Sequence, residues 1–496
     1  MIEKAGFKSH QILFFNTLAF TICFAAWTLN GVLVTFLVDY NIFKWNSVQV
    51  GWLLGIPILS GAIFRFPIGM LTDKFGGKII FTTLLFFCSI PMFLLSYAND
   101  YTIFALLSFA FGLTGSSFAC GIAFTSLWYP KNKQGAALGI FGAGNAGTAL
   151  TAFFAPKLLD YLTNHGNNVE GWRTLPQIYA AALVAMGILF FIFTTNRIPE
   201  KQKSINELLN PLKQIRLWRF GLYYFLVFGC FVAYSQWLIP YYVNAYYMTL
   251  VTAGILTAMF SLPAGLIRAF GGWLADKFGA RKVMYYVFRA SIVFAFLLIF
   301  PRMEIYSPGE GVTAIKSGVV TAVNENEIVL DDQKYPLIKK AAEYYHEANA
   351  TLVLPKIEAW HEAAVKVGDE VNKRELLARG VSRIFFQANV WIFTGFVLLI
   401  GMTWGIGMGA VYKFIPEYFP NEVGVVGGTV GVLGGLGGFF CPIIFGYLLS
   451  VLGVWTSSWF LMLLLSITCY IWFHKVVTRM LNQKSPELQE KFETAK

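Results

Sequence analysis

Long apolar runs alternate with short polar stretches along nearly the whole chain. Each run is about 20 residues or longer, enough to cross a bilayer as a helix. Twelve stand out, at roughly 12–38, 48–72, 79–98, 101–128, 135–161, 173–195, 218–247, 250–275, 283–301, 386–411, 424–450 and 453–475. The pattern predicts an all-α membrane protein of twelve transmembrane helices. The first run is too long for a signal-peptide core and lacks a small-residue cleavage site, so it counts as helix 1.

Residues 302–383, between helices 9 and 10, break the pattern. Val312–Leu337 alternates as short strands do, with Gly318-Val-Val-Thr-Ala-Val followed by Ile328-Val-Leu and an Asp-Asp turn. Residues 338–364 read as helix broken at Pro355, and Val365 through Leu377 looks like the second half of a small barrel-sandwich fold of the biotinyl/lipoyl type. The lysine-bearing hairpin that such a domain modifies is not recognisable, so no prosthetic group is predicted.

Charge sets the orientation. Lys and Arg gather after helix 2 (Lys74, Lys78), after helix 4 (Lys131, Lys133), along Arg197–Arg219, after helix 8 (Lys277, Arg281, Lys282) and in the tail (Lys475, Arg479). The positive-inside rule makes these segments and both termini cytoplasmic, in a cell (inner or plasma) membrane. The insert is then extracytoplasmic; it holds 11 Lys/Arg and 13 Asp/Glu against a chain total of +11. The basic balance reflects topology and predicts no nucleic-acid partner. At 56% hydrophobic and 13% charged residues, the chain is too apolar for a soluble enzyme. It carries no nucleotide-binding loop, metal-ligand spacing or catalytic triad, so neither enzyme activity nor a cofactor or metal is predicted. The six cysteines fall within predicted spans and read as packing residues.

A repeat divides the chain. Arg65-Phe-Pro-Ile-Gly69-Met-Leu-Thr-Asp73-Lys74-Phe-Gly76-Gly-Lys78 returns 203 residues later as Arg268-Ala-Phe-Gly-Gly272-Trp-Leu-Ala-Asp276-Lys277-Phe-Gly279-Ala-Arg281. The form G-x-x-x-D-[KR]-x-G-x-[RK], after helices 2 and 8, resembles the loop motif of the major facilitator superfamily. In that family the loop supports the rocking of one six-helix half against the other. The resemblance implies halves at 1–195 and at 218–301 with 384–478, a cytoplasmic linker at 196–217, the insert at 302–383, a tail at 479–496, and a monomer.

In both copies an arginine lies eight residues before the aspartate, roughly 12 Å inside the membrane surface at 1.5 Å per residue. Cations at that depth are expensive and mark function by default. The spans hold no Asp or Glu near mid-depth, since Asp39, Asp73, Asp160, Asp276 and Glu417 all lie near helix ends, and no histidine lies mid-span. Two unpaired arginines, one per half, predict a paired site for a small anion. Guanidinium suits a planar oxyanion better than ammonium does, because its donors are forked.

Helix 5 carries Gly139-Ile-Phe-Gly142-Ala-Gly144-Asn145-Ala-Gly147, and helix 11 carries Gly427-Gly-Thr-Val-Gly431-Val-Leu-Gly434-Gly-Leu-Gly437-Gly-Phe-Phe-Cys-Pro442. Glycines this dense let helices approach closely, and Asn145 offers an amide among them. These two signatures resemble those of the nitrate/nitrite porter family. The resemblance implies that Arg65 and Arg268 clamp the anion and that Phe118 on helix 4 stacks on it. Tyr224 and Phe228 on helix 7 would line the cavity. Met408 stands where many members carry asparagine, which leaves nitrate or nitrite preference open, as is the choice between exchange and proton symport. Lys413 reads as a guard of the inner mouth or as snorkelling, and Arg289, a third buried-looking cation, as snorkelling or capping carbonyls. The rival readings are an organic-anion exchanger recruiting Arg289 or Lys413, and a transporter-like sensor whose insert binds an extracytoplasmic partner.

Overall fold

The computed structural model describes residues 6–199, 210–300, 303–340, 356–386, 390–419 and 423–484. It comprises two compact units, a helical one built from the chain up to Phe296 and from Thr394 on, and a β-rich one at Leu297–Phe393.

Among the described residues twelve helices are long and apolar enough to span a membrane. They are α1 Phe7–Asp39, α2 Ser47–Phe75, α3 Gly77–Tyr97, α4 Tyr101–Ser126, α5 Ala137–Leu162, α6 Val169–Phe193, α7 Ile215–Tyr246, α8 Leu250–Phe278, α9 Ala280–Ile299, α10 Val390–Ile415, α11 Val425–Leu452 and α12 Ser457–Met480. The expected twelve-helix architecture with a β-containing insert after the ninth is therefore present.

Several of these helices are irregular at mid-length. In α2 the regular ladder stops at Ile63 and resumes at Arg65, because Pro67 has no N–H for the Ile63 carbonyl. Helix α4 tightens to a 3₁₀ turn at Gly112–Ser116, and α5 does so at Ala143–Ala146. Helix α7 widens to a π turn at Phe225–Gly229. By contrast α8 runs unbroken from Leu250 to Phe278.

The two loop motifs close alike. Gly76 (φ 88°) ends α2 and Gly279 (φ 85°) ends α8, both in a region that side chains disfavour. The Asn196 amide donates to the Phe75 carbonyl at 2.9 Å beside the first of these turns.

Packing differs between the two ends of the bundle. Away from the motif loops, backbones touch: a methyl at Gly55 of α2 would lie 2.8 Å from the Phe439 carbonyl of α11, and one at Gly31 of α1 would lie 2.9 Å from Gln236 Cα of α7. Toward the motif loops, Gly139, Gly272 and Gly428 have no described neighbour within 4 Å of such a methyl.

The insert holds β1 Met303–Thr313, β2 Gly318–Val323, β3 Glu327–Leu330, β4 Gln333–Pro336, β5 Lys356–Ala363, β6 Glu370–Val371 and β7 Leu376–Phe386. They form a sheet ordered β1-β7-β5 and another ordered β4-β3-β2-β6. Val320, Ile328, Leu330, Tyr335, Val371 and Leu377 pack between them as a small core. The Asp-Asp turn links β3 to β4, with Asp331 at φ 52° as a tight hairpin requires. The helix expected over 338–364 is corrected where it is described. Lys356–Ala363 is a strand that pairs with β7 from Lys356↔Phe385 to Ala363↔Ala378, and it buries Trp360. Residues 341–355, with Pro355, lie outside the described residues.

Candidate anion-binding site

Arg65 stands at the restart of α2, and its side chain is 1% exposed. Its Nε donates to the Gly115 carbonyl (3.3 Å), in the tightened turn of α4, and its Nη1 donates to the Gly431 carbonyl (2.5 Å) of α11. Nη2 is buried without a hydrogen-bond partner among the described residues. The guanidinium carbon lies 5.6 Å from the ring centre of Trp27, 5.2 Å from that of Phe118 and 5.4 Å from that of Phe228.

Arg268 approaches the same place from the other half. Its guanidinium lies 5.5 Å from the Phe118 ring and 5.1 Å from the Tyr412 ring, and its Nη1 also lacks a partner. Phe118 is thus shared by both cations, one turn after the irregular segment of α4. Tyr224 stacks on Phe228 with centroids 4.9 Å apart and planes at 6°, and meets Tyr412 edge-on at 5.0 Å. The buried Tyr224 hydroxyl lies in the field of both guanidinium groups and makes no hydrogen bond of ordinary geometry.

Asn145 is fully buried in the tightened turn of α5, and neither its amide oxygen nor its nitrogen has a partner among the described residues. Its neighbour is α8. A methyl at Gly265 would lie 3.7 Å from Asn145 Cβ, and one at Gly142 would lie 3.9 Å from the Arg268 guanidinium carbon. The Gly142–Asn145 face of α5 therefore rests on the Gly265–Arg268 face of α8.

Unpaired buried N–H groups each cost on the order of 1–3 kcal/mol. Here they belong to two cations that share one aromatic ring and to an amide on the helix face that packs against α8. Among the described residues no ion pair involves either arginine. The arrangement offers forked donors to a small acceptor-rich anion in a nearly dry place, where such bonds are strongest.

The sequence pattern of the Major Facilitator Superfamily matches residues 16–312. Over 99% of this chain and 97% of the relative, the sequence is 37% identical to a probable nitrate/nitrite antiporter NarK1 of Thermus thermophilus. The chain belongs to the nitrate/nitrite porter family of the major facilitator superfamily. A nitrite extrusion protein of Bacillus subtilis is 25% identical over 90% of this porter and 89% of its own length. In fold, the porter is similar to a bacterial homologue of the human lysosomal transporter Spinster, solved inward-facing and occupied. The TM-score is 0.63 at 14% identity, over 96% of this chain and 98% of that one.

The porter's glycine helices do different things along their length. Gly431 borders the site, where a methyl would sit 3.4 Å from both Arg65 Nη1 and the Tyr412 hydroxyl. Gly434 lies under the Tyr224 and Phe228 rings, and a methyl at Gly437 would come within 2.8 Å of the Phe225 carbonyl. On α5, Gly144 lies against Phe20 and Gly147 against the α1 backbone near Ala25, whereas Gly139 packs on nothing described. In the motif loops Gly69 faces Ala119 at 3.9 Å, and Lys74 and Lys277 lie over Phe75 and Trp273 respectively. Asp73 lies in the last turn of α2 as Asp276 does in that of α8.

Two further cations have partners of their own. Arg289 is exposed, and its Nε and Nη2 donate to the Tyr470 hydroxyl at 3.3 and 3.2 Å. Lys413 forms an ion pair with Asp276 of the second motif loop. Met408 is fully buried. Sequence reasoning missed Tyr412, which touches Phe118, Tyr224 and Arg268 and donates to the Gly427 carbonyl at 3.1 Å. It follows Met408 by four residues, so it shares that face of α10, and this spacing was the available signal. Trp27, beside Arg65, carries no signal in so aromatic a chain.

Proposed function

We propose that this protein carries nitrate and nitrite across the cell membrane by alternating access, exchanging one anion for the other. Arg65 and Arg268 bind the ion between them, with Phe118, Tyr224, Phe228 and Tyr412 as walls and Asn145 as a further hydrogen-bonding group. The observation that carries this reading is the sharing of Phe118 by two guanidinium groups, each with an unpartnered N–H and no carboxylate. The names of the relatives support the same anions.

Exchange is favoured over proton symport because no carboxylate or histidine lies among the described groups that surround the site, and a proton carrier would be expected there. A larger organic anion would need a further deep cation. The two candidates, Arg289 and Lys413, are engaged with Tyr470 and Asp276, which favours a small ion. The motif loops and termini would face the cytoplasm and the insert the other side, as the basic loops require. The glycine faces of α5 and α11 would let the halves rock.

The test is counterflow in proteoliposomes, with nitrite inside and labelled nitrate outside. Rapid label uptake driven by internal nitrite is expected. A protein that ignores both ions but exchanges a dicarboxylate would overturn the substrate, and uptake that needs a proton gradient instead of internal nitrite would overturn exchange.

A further inference from the structure

A second basic site lies at the motif-loop end of the bundle, away from the paired arginines. A half-open cleft is lined by Arg216, Arg219 and Arg281 together with Tyr418, Phe473 and Met480. Arg216 and Arg219 stand at the start of α7 and Arg281 at the start of α9. Tyr418 ends the helix that continues α10, and Met480 ends α12.

Tyr418 organises two of the cations. The Arg281 Nη2 donates to its hydroxyl at 2.6 Å, and the Arg216 guanidinium lies 5.4 Å from its ring centre. Arg219 turns a buried Nε into the same region, and that nitrogen has no partner among the described residues. Among the described residues no carboxylate lines the cleft. Three positive charges therefore converge there without a described counter-charge, and at least one donor is held ready for an acceptor.

The walls say what kind of anion fits. On the α12 side the cleft is apolar, with Phe473, Val476, Val477 and Met480. The outer surface of α9 and α12 continues in that character. Tyr286 is 61% exposed, Val293 53% and Ile471 46%, and Arg289, bonded to Tyr470, is exposed among them. A soluble oxyanion needs no such neighbour, whereas a phospholipid needs both a cationic seat for its phosphate and apolar surface for its chains. Basic pockets between helix ends at a membrane surface have that combination.

We infer that this cleft binds the phosphate headgroup of an anionic phospholipid from the adjoining leaflet. The phosphate is seated by Arg216, Arg219 and Arg281, and the chains lie along α9 and α12. The lipid would tie together the ends of the four helices, two of which (α7 and α10) carry Tyr224 and Tyr412 a turn or two further in.

The experiment is native mass spectrometry of the full chain in detergent, titrated with phosphatidylglycerol, phosphatidylcholine or inorganic phosphate. The wild type should retain phosphatidylglycerol roughly tenfold better than phosphatidylcholine. The double variant Arg216→Gln/Arg219→Gln should lose that preference, while Arg216→Lys/Arg219→Lys keeps part of it and serves as the folding control through an unchanged thermal midpoint. Equal retention of the two lipids, or an undiminished preference in the glutamine variant, would overturn the proposal. So would displacement of phosphatidylglycerol by millimolar inorganic phosphate, which would make the cleft a site for a free oxyanion.

Discussion

Arg65 donates a hydrogen bond to the carbonyl oxygen of Gly431 at 2.5 Å, so the deep cation of the first half is bonded to the backbone of the second. An α-helical carbonyl accepts this bond because glycine leaves the helix surface bare there. The same guanidinium also binds the Gly115 carbonyl of its own half, which leaves one nitrogen, Nη2, for an anion. Three directions are thus served by one planar group.

Lysine cannot serve three directions at fixed angles, although it keeps the charge. Arg65→Lys and Arg268→Lys should each lower nitrate–nitrite counterflow by about 10- to 100-fold. Near wild-type exchange in either variant would remove that arginine from the site.

Phe118 supports both guanidinium groups, so its loss acts twice. Each cation–π contact is worth roughly 0.5–2 kcal/mol when desolvated. Phe118→Leu should therefore raise the nitrate KM about tenfold or more. An unchanged KM would mean that the ring is packing alone.

Two glycine substitutions should part company. A methyl at Gly431 intrudes to 3.4 Å from Arg65 Nη1 and the Tyr412 hydroxyl, whereas one at Gly139 meets nothing described within 4 Å. Gly431→Ala should impair exchange strongly and Gly139→Ala should leave it near wild type, as read by initial counterflow rates at equal protein density. The reverse order would contradict the placement of α11 against Arg65.

Tyr412 contributes a ring to Arg268 and a hydroxyl to the Gly427 carbonyl. Tyr412→Phe keeps the ring, so a few-fold rise in KM is expected, while Tyr412→Leu should cost about tenfold or more. Equal effects of the two would assign the role to the hydroxyl instead.

The insert can be removed with little loop strain, because Met303 and Phe386 are ladder partners at the start and end of its β-sheet. Such partners stand about 5 Å apart. Replacing residues 304–385 with a short Gly/Ser linker should preserve counterflow. Loss of exchange in a correctly folded deletion would make the insert part of the transport machinery.

The sequence made the paired arginines legible because burial of charge is costly and the repeat marks both copies in one register. Asn145 stood out for the same reason, as an amide on a glycine face. Tyr412 did not, since it is one of 23 tyrosines and its place depends on how α10 packs against α4 and α7. The pairing of Arg289 with Tyr470 was not legible, because hydropathy reports that a helix is apolar but not which face meets lipid. Strand β5 was misread because Lys, Glu, Ala and His favour no strand locally; the ladder to β7 decides it from 20 residues away in register.

At the end of the bundle remote from the motif loops, the halves meet through Gly55 against Phe439 and Gly31 against Gln236, with one hydrogen bond from the Gln236 amide to the Leu54 carbonyl at 3.3 Å. These contacts involve no charged side chain. Contacts made by dispersion and shape have no screening length, so moderate ionic strength should change how readily an anion reaches the arginines without loosening this end of the bundle.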